Sequence, residues 1–282
     1  MAGTSVVDIP DQELALLAAK AIRLRWEILD MIVKAKGSHI GSSLSMVEIL
    51  LVLYEKILRY DPKNPSDPNR DRFILSKGHG CATLYAILAH CGFFEKSELD
   101  TFIQAGSRLG GHPEMGKVPG VEMSAGSLGH GLSVAAGIAL AAKLNCQSYR
   151  TFCLVGDGEC EEGAIWEAAL FSAHRKLDNL TVVVDSNHFQ ASGSVEEVLN
   201  PNPLDEKWRA FGWEVVSVDG HDIGRLYEAF HACRELGKPR AIIARTIKGK
   251  GISYMEGERR FHSMLPNAAE MEIARKELGA TD

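Results

Sequence analysis

Two short apolar runs set the pattern of the chain: Thr151, Phe152, Cys153, Leu154, Val155, and Leu180, Thr181, Val182, Val183, Val184. Both are β-branched or bulky throughout and both end in turn residues, which predicts strands covered on both faces of a parallel sheet. Between them, over residues 161–177, Ile165, Ala168, Ala169, Ser172 and Ala173 recur at helical spacing. The segment therefore predicts one strand–helix–strand crossover. Further strands are expected over 72–76, 213–218 and 240–246. Apolar positions 14, 17, 21, 24, 28 and 32 predict a long amphipathic helix to about Lys36, ended by Gly37. Other helices are expected over 46–58 with Ser45 as its cap, 81–91, 133–143, 223–236 after the turn Asp219, Gly220, His221, Asp222, and from Pro266 to Leu278. Residues 1–10 read as a loose lead-in, 38–43 as a loop, and 61–71, with three prolines, as an irregular connection. No internal repeat interrupts the order. The expected fold class is α/β: a mostly parallel sheet with helices on both faces.

Composition narrows the setting. The 282 residues are 45% apolar and 24% charged, an ordinary globular balance, and the net charge of −6 argues against nucleic acid or an anionic membrane as partner. Cysteines 81, 91, 146, 153, 160 and 233 show no Cys-x-x-Cys spacing and read as small buried hydrophobes or free thiols in a reduced compartment. No basic-then-apolar leader and no run of about eighteen apolar residues occurs. A cytoplasmic location is expected.

The candidate chemistry lies where the strands end. Asp157 follows the first apolar run and Asn187 follows the second, so both fall at carboxyl ends of parallel strands, where open α/β sheets place ligands. Their separation, 187 − 157 = 30, suits one crossover. A carboxylate and an amide oxygen are two hard ligands for Mg²⁺, an incomplete set that expects a phosphorylated ligand to supply more oxygens. Gly156 and Gly158 leave room for a diphosphate at the backbone, and the next helix start offers free N–H groups. A Gly-Asp-Gly triplet alone is a common turn; the flanking strands and helix make the ligand reading the better one. Histidines occur in Ser38, His39, Ile40, Gly41, in Ser76, Lys77, Gly78, His79, Gly80, and in Gly110, Gly111, His112, Pro113. The glycines of the last group, and of Gly126, Ser127, Leu128, Gly129, His130, Gly131, suit either backbone contact with a ligand or a tight irregular loop.

Taken together, the Gly-Asp-Gly to Asn pattern and the Ser-x-Gly-His-Gly motif resemble the thiamine diphosphate signature. From His39 to about Leu278 the chain is similar to the amino-terminal half of transketolases, most closely to the form divided into two subunits. The resemblance implies a single diphosphate-binding domain over 1–282, with 247–282 a loop plus a carboxyl-terminal helix. It implies thiamine diphosphate and Mg²⁺ as cofactors, with Asp157, Asn187 and the carbonyl of Phe189 as metal ligands. Cofactor contacts would come from His79, Asn187, His262, Gly156, Gly158, Glu162 and the backbone of Gly126, Ser127 and Leu128. His39, His79, His112 and His262 would serve catalysis. Glu162 matches an acid at the family's subunit interface, and reads equally as a solvated Glu favoured by the helix dipole.

Departures from the family pattern are Ile40 for Pro, Ser127 and His130 for Pro and Gln, Ala191 and Ser192 for a larger apolar residue and Asp, and Phe261 and Ser263 for Trp and Gly. The side chain of His130 has no assigned role, His221 reads as structural and His90 as a packing residue. Thiamine enzymes of this family take an activating glutamate and sugar-phosphate-binding arginines from a second domain. After Thr246 only 282 − 246 = 36 residues remain, too few for one. The expectation is half an enzyme, paired with a separate pyrimidine-binding chain as two copies of each. Its reaction would be transfer of a two-carbon ketol unit from a ketose (phosphate) to an aldose (phosphate). A 2-oxo acid dehydrogenase alpha-like or deoxyxylulose phosphate synthase-like half, or a non-catalytic regulatory chain, are the alternatives.

Overall fold

The computed structural model describes residues 9–232 and 235–280. Five parallel strands, β1 (Arg72–Leu75), β2 (Thr151–Gly156), β3 (Leu180–Ser186), β4 (Glu214–Asp219) and β5 (Arg240–Arg245), form one sheet in the order β1-β2-β3-β5-β4. Alternate side chains of the central strands enter two separate cores, as the two-residue period of a strand requires. Phe152, Leu154, Val183, Ile242 and Ala244 face one core. Cys153, Val155, Val182, Val184, Ala241 and Ile243 face the other. Burial on both sides is why these strands read as continuous apolar runs.

The first core is roofed by α1 (Asp11–Lys34), α2 (Ile40–Leu44), α3 (Val47–Val52), α4 (Cys81–His90) and, further along the chain, the helix Ile223–His231. The second is covered by α5 (His130–Leu144), α6 (Gly163–His174) and the helix Leu204–Ala210, whose Trp208 is fully buried. In chain order the remaining helices are α7 (Val195–Val198), α8 (Leu204–Ala210), α9 (Ile223–His231) and α10 (Ala268–Glu277).

Several local expectations are corrected. Residues 38–43 are not simply a loop: His39 takes a left-handed conformation (φ 67°) and turns the chain into the buried helix α2. Ile40 is the first helical residue, where a proline would need no N–H, so either residue suits the turn. Ser45 caps nothing; its hydroxyl donates to Asp185 Oδ2 at 2.6 Å, because a carboxylate buried at the sheet end demands donors. The helix expected over 46–58 is α3 followed by a π-helical turn over Leu53–Ile57. α9 stops at His231, and Asp222 caps it by accepting the Arg225 N–H. Asn267, with Glu270, caps α10 in place of Pro266. His90 is exposed and bonds to Glu55 at 2.7 Å, so it does not pack the core. α7 and α8 were not expected, each being too short to show a period.

Cys81, Cys153 and Cys160 are buried free thiols, Cys91 is partly buried and Cys146 is exposed. Cys233 and residues 1–8 lie outside the described residues. Among the described residues no helix is long and apolar enough to cross a membrane.

Candidate active site

Four strands deliver side chains to one place. β1 runs into Ser76, Lys77 and His79; β2 into Asp157 and Glu159; β3 into Asn187 and Phe189; β5 into Thr246 and Lys248. Above these carboxyl ends is a cavity of about 310 Å³, lined by His39, Ser42, Lys77, His79, His112, Gly126, Leu128, Gly156, Asp157, Gly158, Glu159, Asn187, Phe189, Gln190, Ala191, Ser192 and His262. The position is the one that parallel α/β sheets favour for ligands. Gly78 allows the β1 loop to touch the loop before Gly126: a Cβ there would lie 2.7 Å from the Ala125 carbonyl oxygen.

The floor of the cavity is an oxygen set. Asp157 is buried, with Oδ1 accepting the Gly158 N–H at 2.9 Å and Oδ2 the His188 N–H at 2.6 Å. Burial, with the Asp185 charge behind it, pushes the Asp157 carboxyl up to about 6. The carboxylate is short of positive charge, which an added cation would supply. Asn187 Oδ1 accepts the Phe189 N–H at 3.1 Å and keeps a second lone pair. Phe189 pairs with Ser194 in an isolated bridge whose bonds run from Gln190 N to Gly193 O and from Val195 N to His188 O. Its own carbonyl is not used by that bridge. One carboxylate, one amide and one carbonyl, all oxygen, suit a hard cation such as Mg²⁺ whose remaining positions go to water and phosphate. Among the described residues no group of three His, Cys, Asp or Glu could hold a metal by itself. The residues present thus fit a metal–diphosphate ligand better than a metal alone.

The wall is a histidine cluster centred on His39. Its ring centroid lies 5.2 Å from that of His79, 4.8 Å from His262 and 6.2 Å from His112. A main-chain bond, His39 N–H to His262 O at 2.7 Å, joins the two loops. Burial, then the neighbouring positive charges, lowers both His39 and His262 to about 4, and His79 is lowered well below its usual value for the same reasons. These three rings are neutral at pH 7.

Reading the sequence for motifs missed the charges beneath. Lys77 Nζ bonds to the Asp185 carboxylate and donates to Ser42 O at 3.0 Å. Asp185 also accepts from Ser45 and Thr246, and although burial alone would raise its pKa, Lys77 and these hydroxyls hold it below the usual range. Lys248, also buried, lies just behind the cavity wall, with Nζ 3.2 Å from Gln190 O, 3.4 Å from His262 Nδ1 and 5.8 Å from the centre of the Phe189 ring. Burial and the Lys77 charge lower it to about 8. Glu159 ties three loops together, accepting from Ser76 Oγ, Gly129 N and Gly156 N. Both lysines stand in glycine-flanked turns directly after strands, and that placement is the signal that would have found them.

The structure brings His39, His79, His112, His262, Gly126, Leu128, Gly156, Asp157, Gly158, Asn187 and Phe189 to one cavity. It places Ser127 and Glu162 outside the lining; both are exposed, and the Glu162 side chain packs beside Gly129. Ala191 and Ser192 line the cavity, and His130 is exposed, with Nδ1 3.0 Å from Leu128 O.

An oxygen-only cation site backed by two buried ammonium groups suits a protein that binds a metal-complexed diphosphate. Residues 16–282 match the family described as "Transketolase, thiamine diphosphate binding domain", and the chain belongs to that family. It is 45% identical over 260 residues to an apulose-4-phosphate transketolase subunit of Actinobacillus succinogenes, covering 92% of this chain and 94% of that one. It is also 45% identical over 242 residues to the 6-deoxy-6-sulfo-D-fructose transketolase subunit SqwG of a Clostridium species, covering 86% of this chain and 88% of that one. Among solved structures, transketolase from Campylobacter jejuni superposes with a TM-score of 0.88 at 34% identity. That match covers 94% of this chain and 43% of the Campylobacter chain, so this chain spans about two fifths of the solved transketolase's length. The expected family, the likeness to subunits of a divided transketolase and the α/β fold are borne out.

Proposed function

We propose that this chain is the diphosphate-binding subunit of a split transketolase, moving a two-carbon ketol unit from a ketose to an aldose in company with a separate pyrimidine-binding chain. The observation that carries the reading is one cavity in which neutral histidines stand over a buried carboxylate deficient in positive charge. Asp157, Asn187 and the Phe189 carbonyl hold Mg²⁺, while Gly156, Gly158, the Gly126 to Leu128 backbone, His79, Lys77 and Lys248 receive the diphosphate. Thiamine diphosphate, when bound, supplies the carbanion chemistry that no side chain provides. His39, His112 and His262 then orient sugar hydroxyls and a carbonyl oxygen. As neutral imidazoles, His39 and His262 donate one hydrogen bond and accept another, and can pass a proton between substrate oxygens.

The partner requirement is supported by relatives of matching length that are named as subunits. It is also supported by Leu170 and Phe171, large apolar residues exposed on α6, the helix that begins beside Glu162. Two copies of each chain satisfy two-fold symmetry. The substrates are sugar phosphates or similarly anionic sugars, and the setting is the cytoplasm. To test this, the tagged chain is recovered from its host with whatever binds it, and ketol transfer is assayed with thiamine diphosphate and Mg²⁺. Activity that needs a second chain and disappears in Asp157→Ala supports the reading; a partnered eluate that releases CO₂ from pyruvate but transfers no ketol unit refutes it.

A further inference from the structure

The carboxyl end of β4 contributes no residue to the cavity lining. It leads instead to His221, which joins two buried charges from the amino-terminal helices. Arg25 on α1 and Glu48 on α3 approach to 2.6 Å, and His221 Nδ1 lies 3.0 Å from Glu48 Oε2. The other ring nitrogen, Nε2, accepts the Ile247 N–H at 2.8 Å, so Nδ1 is the nitrogen that carries hydrogen and donates to Glu48. Arg25 reaches the same loop further on, its Nε donating to Lys250 O at 2.8 Å.

The network therefore grips the backbone on both sides of Lys248. On the cavity side the Gly249 N–H donates to Gly41 O at 3.0 Å, next to the loop that carries His39. The loop has little freedom to take another path: Gly249 sits at φ 77°, and a Cβ on it would lie 2.3 Å from the Met255 carbonyl oxygen. Where the Lys248 backbone is held decides where its buried ammonium meets Gln190 and His262. Stability is a weak reason for such an array, because buried ion pairs add little over apolar packing of the same volume.

We propose that Arg25, Glu48 and His221 are positioning residues that hold the 247–250 loop so that Lys248 presents its charge to the cofactor diphosphate. This rests on reading the cavity as a magnesium–thiamine diphosphate site. The test is a double-mutant cycle on the full chain assembled with the partner chain recovered from its host, with thiamine diphosphate affinity measured by titration calorimetry in Mg²⁺ and thermal stability measured in parallel. His221→Ala is expected to weaken binding about tenfold, the scale of one displaced charge-assisted contact, and Lys248→Met by at least as much. In the double variant, affinity falls no further than in Lys248→Met, whereas the losses of thermal stability add. His221→Gln, whose amide oxygen can take the Ile247 N–H, recovers much of the affinity and covers the case in which His221→Ala folds poorly. Additive affinity losses, or His221 variants that melt earlier yet bind as wild type, overturn the inference while leaving the cofactor reading intact. A wild-type assembly with its partner chain that binds no magnesium thiamine diphosphate overturns the cofactor reading itself.

Discussion

At the amino end of the sheet, Asp71 receives the main-chain N–H and the guanidinium of both Arg59 and Arg150; at the carboxyl end, Asp157 receives only the main-chain N–H groups of Gly158 and His188. Both carboxylates are buried. Burial alone would raise Asp71, but the two arginines hold it below the usual carboxylate range, while Asp157 is pushed up to about 6. The first carboxylate is satisfied by its own chain and pins β1 to β2. The second is left short of positive charge at the floor of a cavity, an arrangement that lowers the stability of the empty protein and suits an arriving cation.

The largest effect is expected at the deficient end. Asp157→Ala should weaken Mg²⁺-dependent thiamine diphosphate binding by about 100-fold or more, by loss of the carboxylate proposed to hold the cation. The melting temperature of the empty protein should hold or rise, since an unpaired buried charge is removed. Calorimetry and thermal melts check both halves; a marked loss of stability without ligand would break the contrast with Asp71.

Asp71→Asn should do the reverse. It is expected to cost about 3 kcal/mol of folding free energy, by disrupting a buried hydrogen-bonded ion cluster, with cofactor affinity preserved. The sign with pH follows from the lowered folded pKa: the stabilisation is complete above the unfolded value near 4 and is lost as pH falls through the folded value. Urea unfolding of both proteins at pH 7 and pH 3 should therefore show a gap that narrows in acid. A gap of constant size would mean that Asp71 acts by shape and not by charge.

Glu159 stands between the two cases. It is raised by burial like Asp157, against the pull of its bonds from Ser76, Gly129 and Gly156. Glu159→Gln leaves one acceptor oxygen among those donors and should cost about 1–2 kcal/mol together with about tenfold in cofactor affinity, because it loosens three cavity loops at once. Equal stability and affinity to wild type would remove it from the account. The smallest effect is expected at Ser127, whose exposed side chain does not line the cavity. Ser127→Ala should change stability by no more than about 0.5 kcal/mol and leave binding as it is; a clear loss of affinity would bring that side chain into the site.

Much of this was legible along the chain, for reasons that differ by residue. Thr151 to Val155 and Leu180 to Val184 announce themselves because a strand buried on both faces must be apolar at every position. Asp157 and Asn187 could be placed at the sheet's carboxyl end because each directly follows an apolar run, a local arrangement, whereas His79 was singled out by the Ser-x-Gly-His-Gly motif. His39 was placed in the right region but in the wrong conformation: its left-handed turn into α2 is imposed by packing, with all of α2 buried, and the residue type does not demand it. Trp208 and α8 were missed since seven residues carry too little periodicity to stand out.

What the sequence determined by itself was the alternation of strands and helices, the placing of Asp157 and Asn187 at two strand ends and the kinship that these motifs express, because hydrogen-bond periodicity, turn chemistry and buried apolar runs are properties of neighbours in the chain. The tertiary structure alone decided that His39, His79, His112 and His262 meet, and that Lys77 finds Asp185 across 108 residues. It alone joined Glu48, already paired with Arg25, to His221 across 173. Charge pairing and desolvation act through space, and they depend on which loops the sheet brings together at its carboxyl edge.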